Sequence, residues 1–137
     1  MKTLIVVIAH VPLASALKEV ALHVFAQAKD ILVYDVAADE DPEQLQQKLN
    51  ADIQEQLSTY QQVIIFSDLI GATPANTGFK IAQALNHQQV SSEFFGGTNV
   101  CMLLNAIRYN DLPLQELKTK ILEGGQKGLQ SIDCSCQ

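Results

Sequence analysis

Three stretches of the chain are apolar without a break: Leu4-Ile5-Val6-Val7-Ile8-Ala9, Ile31-Leu32-Val33-Tyr34 and Val63-Ile64-Ile65-Phe66. A strand with one wet face alternates apolar and polar residues. A strand that is apolar at every position must be covered on both faces. A parallel sheet with helices packed on either side meets that demand. A weaker fourth run surrounds Val90 and Phe94-Phe95.

The intervening segments carry helical periodicity. Leu13, Leu17, Val20 and Val24 form one stripe; Leu45, Leu49, Ile53 and Leu57 form another. Each predicts a helix with one buried and one polar face. The second helix has an explicit start, with Asp41 as N-cap, Pro42 at the first helical position and Gln44 three residues after the cap. A third helix is expected to start after Thr73-Pro74 and run to about Asn86, and a fourth from about Val100 to Tyr109. A fifth carries Leu114, Leu117 and Ile121 and is expected to stop at Gly124-Gly125. Gly128-Leu129-Gln130-Ser131-Ile132 reads as one last short strand. The result is an α/β fold: an open, doubly wound, mainly parallel four-stranded sheet with flanking helices and a short C-terminal strand. Residues 1–133 form a single domain and 134–137 a tail.

Composition narrows the function classes. The chain has 137 residues and a net charge of −6, which argues against non-specific binding to nucleic acid or anionic membrane. No apolar run approaches the ~20 residues that cross a bilayer, and no signal peptide is evident after Met1-Lys2. Cys101, Cys134 and Cys136 are too few and too clustered for a disulfide framework, so a reduced, cytoplasmic protein is expected.

Two strands end on chemically useful residues. The first ends at His10. The third ends at Ser67-Asp68, followed by Leu69-Ile70-Gly71-Ala72-Thr73-Pro74-Ala75-Asn76. Parallel strands put both ends on one sheet edge, where open α/β sheets carry their sites. A carboxylate that accepts one ring N–H fixes the tautomer of an imidazole and leaves the other nitrogen free as a nucleophile. Gly71 permits a tight turn, Thr73 is expected to cap the third helix, and Pro74 suits its first turn. The N–H groups of Gly71, Ala72 and Thr73 are then expected to converge as an anion cradle suited to a phosphoryl group. Other chemistries lack their parts: there is no Gly-x-Ser-x-Gly elbow, no P-loop, no Gly-x-Gly-x-x-Gly after the first strand and no zinc spacing. No metal or cofactor is called for.

Several other residues have plainer readings. His23 is a surface or boundary residue, and His87 complements the dipole of the third helix. Asn76 either contacts the site or caps or packs, Asn99 caps the fourth helix, and Arg108 is read as a solvated helix-end arginine rather than a phosphate or partner contact. Asp39-Glu40-Asp41 is a solvated loop. Cys134-Ser135-Cys136 is a frayed tail.

The stretches IVVIAHVPLASAL, VIIFSDLIGATPAN, GGTNVCMLLNAI and GGQKGLQSI together resemble the mannose-family IIA domain of the bacterial sugar phosphotransferase system. The Asp-Leu-x-Gly-x-Thr-Pro-x-Asn match is the most specific, and it argues against the similarly folded carrier subunit of dihydroxyacetone kinases. The resemblance implies that His10 accepts a phosphoryl group from the carrier HPr and passes it to a IIB protein, with Asp68 orienting the ring. It implies that Val11, Gly71, Ala72 and Thr73 surround the phosphoryl group. It also implies a homodimer in which the C-terminal strand crosses to the partner, and it allows peripheral association with a membrane permease. Val11 and Ala72 stand where the family has glycine, and Cys101 where it has proline. A second function compatible with these features is a stand-alone regulatory module that binds a regulatory protein according to its phosphorylation state.

Overall fold

Four strands and five helices alternate in the computed structural model, which describes residues 1–136. In chain order they are β1 (Thr3–His10), α1 (Leu13–Leu22), a 3-10 turn (Ala26–Asp30), β2 (Leu32–Val36), α2 (Pro42–Gln56), β3 (Gln62–Phe66), α3 (Thr73–His87), β4 (Ser92–Phe95), α4 (Val100–Arg108) and α5 (Leu114–Gly128). The strand order is β2-β1-β3-β4 and every pair is parallel. The chain therefore winds outward from β1 to β2, then returns past β1 to β3. The gap between the carboxyl ends of β1 and β3 is the topological switch point.

The unbroken apolar runs do cover two faces. On β1, Ile5, Val7 and Ala9 pack against Ala14 and Leu17 of α1, Leu103 of α4 and Ile121 of α5. Leu4, Val6 and Ile8 face the other way, onto Leu45, Leu49 and Ile53 of α2 and Ile81 and Leu85 of α3. Each fully buried Ile or Leu contributes about 1.5–3 kcal/mol of transfer free energy. Gly78 brings α3 close to the sheet: a Cβ there would lie 3.1 Å from methyls of Ile65 and Ile8 and from the Phe94 ring.

Helix α2 starts as expected, with the Asp41 carboxylate accepting the Glu43 N–H at 3.1 Å. Three expectations are corrected. The buried face of α1 is Ala14, Leu17 and Ala21, while Val20 and Val24 are exposed. The helix lies close over the sheet, where alanine-sized side chains fit, and a stripe read from large residues alone misses that. Helix α5 does not stop at Gly124-Gly125 but continues to Gly128. A Cβ at Gly125 would lie 2.6 Å from Met102 Cγ, and one at Gly128 2.6 Å from Cys101 Sγ. These glycines let α5 press against α4. Side-chain amides tie the pair together, Asn99 Nδ2 donating to the Gly125 carbonyl (3.1 Å) and Asn105 Nδ2 to that of Lys120 (2.8 Å). Finally, no strand follows α5 among the described residues. Strand backbone needs a pairing partner, and 129–136 has no strand partner among the described residues. Leu129 and Ile132 are exposed there. Gln137, the end of the expected tail, lies outside the described residues.

At the amino ends of the strands a buried polar knot closes the fold. Asn110 Oδ1 accepts the Thr3 N–H (2.8 Å), and its Nδ2 donates to the Thr3 carbonyl (3.1 Å). The Thr3 hydroxyl donates to the Asn110 carbonyl (2.7 Å) and accepts from Gln62 Nε2 (2.8 Å). All three residues are buried.

Candidate functional site

The last pair between β1 and β3 is Val7 with Phe66; beyond it, His10 is the last residue of β1 and Asp68 lies two residues past the end of β3. The register brings the two side chains together. Asp68 Oδ2 accepts the His10 ring at Nδ1 (2.8 Å) and the His10 backbone N–H (3.0 Å). Burial pushes the Asp68 carboxyl up, but the bonds from the His10 ring, the His10 N–H and the Leu69 N–H outweigh it. The net position is below the ordinary carboxylate value. Asp68 is thus ionised at neutral pH and can only accept. In the neutral ring Nδ1 then carries the proton and Nε2 the lone pair. The imidazole is 44% exposed and the carboxylate 13%, so a reactant meets the ring and not the acid behind it.

The opposite side of His10 is also fixed. The Val11 N–H donates to the Val36 carbonyl (3.1 Å). The α1 N-terminus has no side-chain cap of its own, since its N-cap is Pro12. Asp35, on β2, takes that role. Its Oδ1 accepts the Ser15 N–H (3.0 Å), and its Oδ2 receives the Ser15 hydroxyl in a very short contact. An anion at a helix N-terminus is favoured by both orphan donors and dipole.

The turn after Asp68 only partly matches expectation. Gly71 has φ +94, a conformation suited to glycine. Thr73 does not cap α3; it is the helix's first residue, and the N-cap is Ala72, with no side-chain bond. Nor is the Ala72 N–H free, because it donates to the Leu69 carbonyl (3.2 Å) and closes the turn. The N–H groups of Gly71 and Thr73 have no acceptor among the described residues. The Val11 N–H, already bonded to Val36, is likewise not available to an anion. Asn76 Nδ2 reaches the Gly71 carbonyl at 3.4 Å.

Residues 4–122 match the family described as the PTS system fructose IIA component. The chain belongs to this family. IIA components serve phosphotransfer in a sugar phosphotransferase system. The fold recurs in solved structures. A mannose/sorbose specific IIA subunit from Enterococcus faecalis has a TM-score of 0.82 at 20% identity, covering 100% of this chain and 99% of that one. The PTS IIA protein associated with the fucose utilization operon of Streptococcus pneumoniae has 0.78 at 22%, covering 96% and 93%. A sigma-54 interaction domain protein from Enterococcus faecalis has 0.77 at 12%, covering 93% of each chain. At these identities the likeness establishes the fold alone. None of the curated proteins is a significant match.

Other candidates of this IIA chain take structural places. Asn99 caps α4, accepting the Met102 N–H at 3.0 Å. Arg108 is not merely solvated; its guanidinium lies 5.9 Å from the centroid of the Phe25 ring. His23 and His87 sit exposed at the ends of α1 and α3. Sequence reasoning missed Asp35, although a lone acid in an otherwise apolar strand run was a visible signal. It also missed Thr98, which follows two glycines after β4. No helix among the described residues is long and apolar enough to cross a membrane.

Proposed function

We propose that this IIA component is a phosphoryl carrier whose acceptor is His10 Nε2. The observation that carries the reading is the Nδ1 bond to an ionised Asp68, which leaves Nε2 as the free nucleophile at an exposed ring edge. In this reading phospho-HPr presents a phosphohistidine. Its P–N bond breaks as the Nε2 lone pair forms a new one, and the Nδ1 proton stays on the bond to Asp68. The same exchange in reverse sense loads a IIB protein. Because the donor is already a high-energy phosphohistidine, the protein's task is positioning and charge stabilisation. The free N–H groups of Gly71 and Thr73 are the donors proposed for the phosphoryl oxygens, and Val11 and Ala72 its neighbours.

Exposed Val11, Leu69 and Ile70 follow directly on the two site strands and suit a protein partner more than a small substrate. The resemblance further supports a cytoplasmic homodimer that uses the C-terminal segment and docks on a membrane permease.

A second reading is a regulatory module whose output is phosphorylation-dependent protein binding. The match to a sigma-54 interaction domain protein and the side chains at Val11 and Ala72 favour it.

The test is incubation with enzyme I, HPr and labelled phosphoenolpyruvate, beside a His10→Ala variant. Acid-labile label on the wild type alone is the expected result. No label on a folded wild type with active HPr overturns the carrier reading. Failure of labelled protein to load any IIB protein leaves the regulatory one.

A further inference from the structure

The carboxylate of Asp68 can orient His10 only if its own backbone is fixed, and β3 ends before it, at Phe66. The loop after β4 supplies what the strand does not. Thr98 aims two donors at one acceptor: its hydroxyl reaches the Ser67 carbonyl at 2.6 Å and its N–H reaches the same oxygen at 3.1 Å. The Gly97 N–H, from a residue at φ +61, donates to the Asp68 carbonyl at 2.7 Å. These two carbonyls belong to the peptide planes on either side of the Asp68 Cα. A peptide unit is rigid. Holding both planes therefore fixes φ and ψ of Asp68, and with them the direction of its Cα–Cβ bond. The same loop seats the next turn, because Gly96 leaves room for the Ile70 side chain, which a Cβ there would overlap.

We propose that the Thr98 hydroxyl is a positioning residue for the His10–Asp68 pair: it sets the Asp68 backbone, and through it the tautomer and reactivity of His10. The role in transfer rests on the phosphoryl-carrier reading; the effect on the tautomer does not. Thr98 makes no hydrogen bond to the ring or the carboxylate; both of its donors go to Ser67. It acts through the Ser67–Asp68 peptide, whose carbonyl without the hydroxyl would keep only the Thr98 N–H bond at 3.1 Å and hold its plane less firmly. Removing one net hydrogen bond is expected to change the balance of orientations about fivefold.

The experiment compares wild type with Thr98→Val, Thr98→Ala and Thr98→Ser. The fraction of His10 in the Nδ1–H tautomer is read from ¹⁵N chemical shifts of the neutral ring, and acceptance of label from phospho-HPr is timed in parallel. The valine variant keeps the branched shape and lacks the hydroxyl; the alanine variant lacks both; the serine variant keeps the hydroxyl. Valine and alanine are expected to shift the Nδ1–H to Nε2–H ratio about fivefold toward Nε2–H and to slow labelling about fivefold, with serine close to wild type. A wild-type tautomer ratio in the valine variant overturns the proposal. So does a serine variant as impaired as valine, since the methyl and not the hydroxyl would then be at work. If wild type takes no label at all, the carrier reading fails while the tautomer ratios still decide this one.

Discussion

The two ends of the central sheet are built from similar materials to opposite purposes. At the amino ends, Thr3, Gln62 and Asn110 bond to one another inside the protein, and among the described residues no fully buried side-chain nitrogen or oxygen lacks a partner. At the carboxyl ends, His10 and Asp68 also meet at hydrogen-bond distance, yet the ring stays 44% exposed and one of its nitrogens has no partner among the described residues. A saturated network has nothing to offer a reactant, so it holds strands together. An unsaturated one holds a group ready. The difference lies less in residue chemistry than in what each set leaves unpaired.

That contrast can be broken from either end. The largest effect is expected from Asp68→Asn. An amide does not enforce the Nδ1–H tautomer, and losses from a wrong tautomer are on the order of a hundredfold or more. Phosphoryl acceptance should fall by at least that much in timed labelling, with a melting transition that remains cooperative. Equal labelling rates would show that His10 needs no orienting acid.

The reciprocal variant is Asn110→Ala. It strands the Thr3 N–H and carbonyl in the interior, at about 1–3 kcal/mol per unsatisfied group. Denaturant unfolding should show a loss of roughly 2–4 kcal/mol, while the folded fraction accepts phosphate at the wild-type rate. A slowed rate would mean the two ends are mechanically linked.

Gly78→Ala probes the ground between them. Helix propensity gains about 1 kcal/mol, but the added methyl meets three core groups at 3.1 Å, and overpacking costs about 1–3 kcal/mol. A net loss near 1 kcal/mol is expected by the same unfolding measurement; a gain would show that α3 has room to lift.

The smallest effect is a pH dependence. Asp68 sits below its ordinary value when folded. Its contribution to stability is therefore present above the unfolded value near ~4 and lost as pH falls through the folded value. The stability gap between wild type and Asp68→Asn should narrow on acidification in that window. A constant gap would contradict it.

Much of this was legible in the sequence. Unbroken apolar strands announce two covered faces, and Asp41-Pro42 announces a helix start. The His10–Asp68 meeting follows from parallel strands and their order. What was not legible depends on distances between elements. Gly124 and Gly125 have the form of a helix stop, and only the closeness of α4 turns them into a contact surface. Ala14 and Ala21 look weak beside Val20 and Val24, until the helix lies close enough to prefer small side chains. The free N–H groups after Asp68 were overcounted for a related reason: Gly71 makes a tight turn, and a tight turn uses the Ala72 N–H to close itself.

The cap of α1 comes from Asp35, on a different strand, and that has a consequence for anyone who would transplant this centre. A graft of β1 and α1 alone would carry His10 and leave behind the carboxylate that holds Ser15, and the Val36 carbonyl that holds Val11. The portable unit on that side is not a strand and its helix but the whole first crossover, ending at Val36.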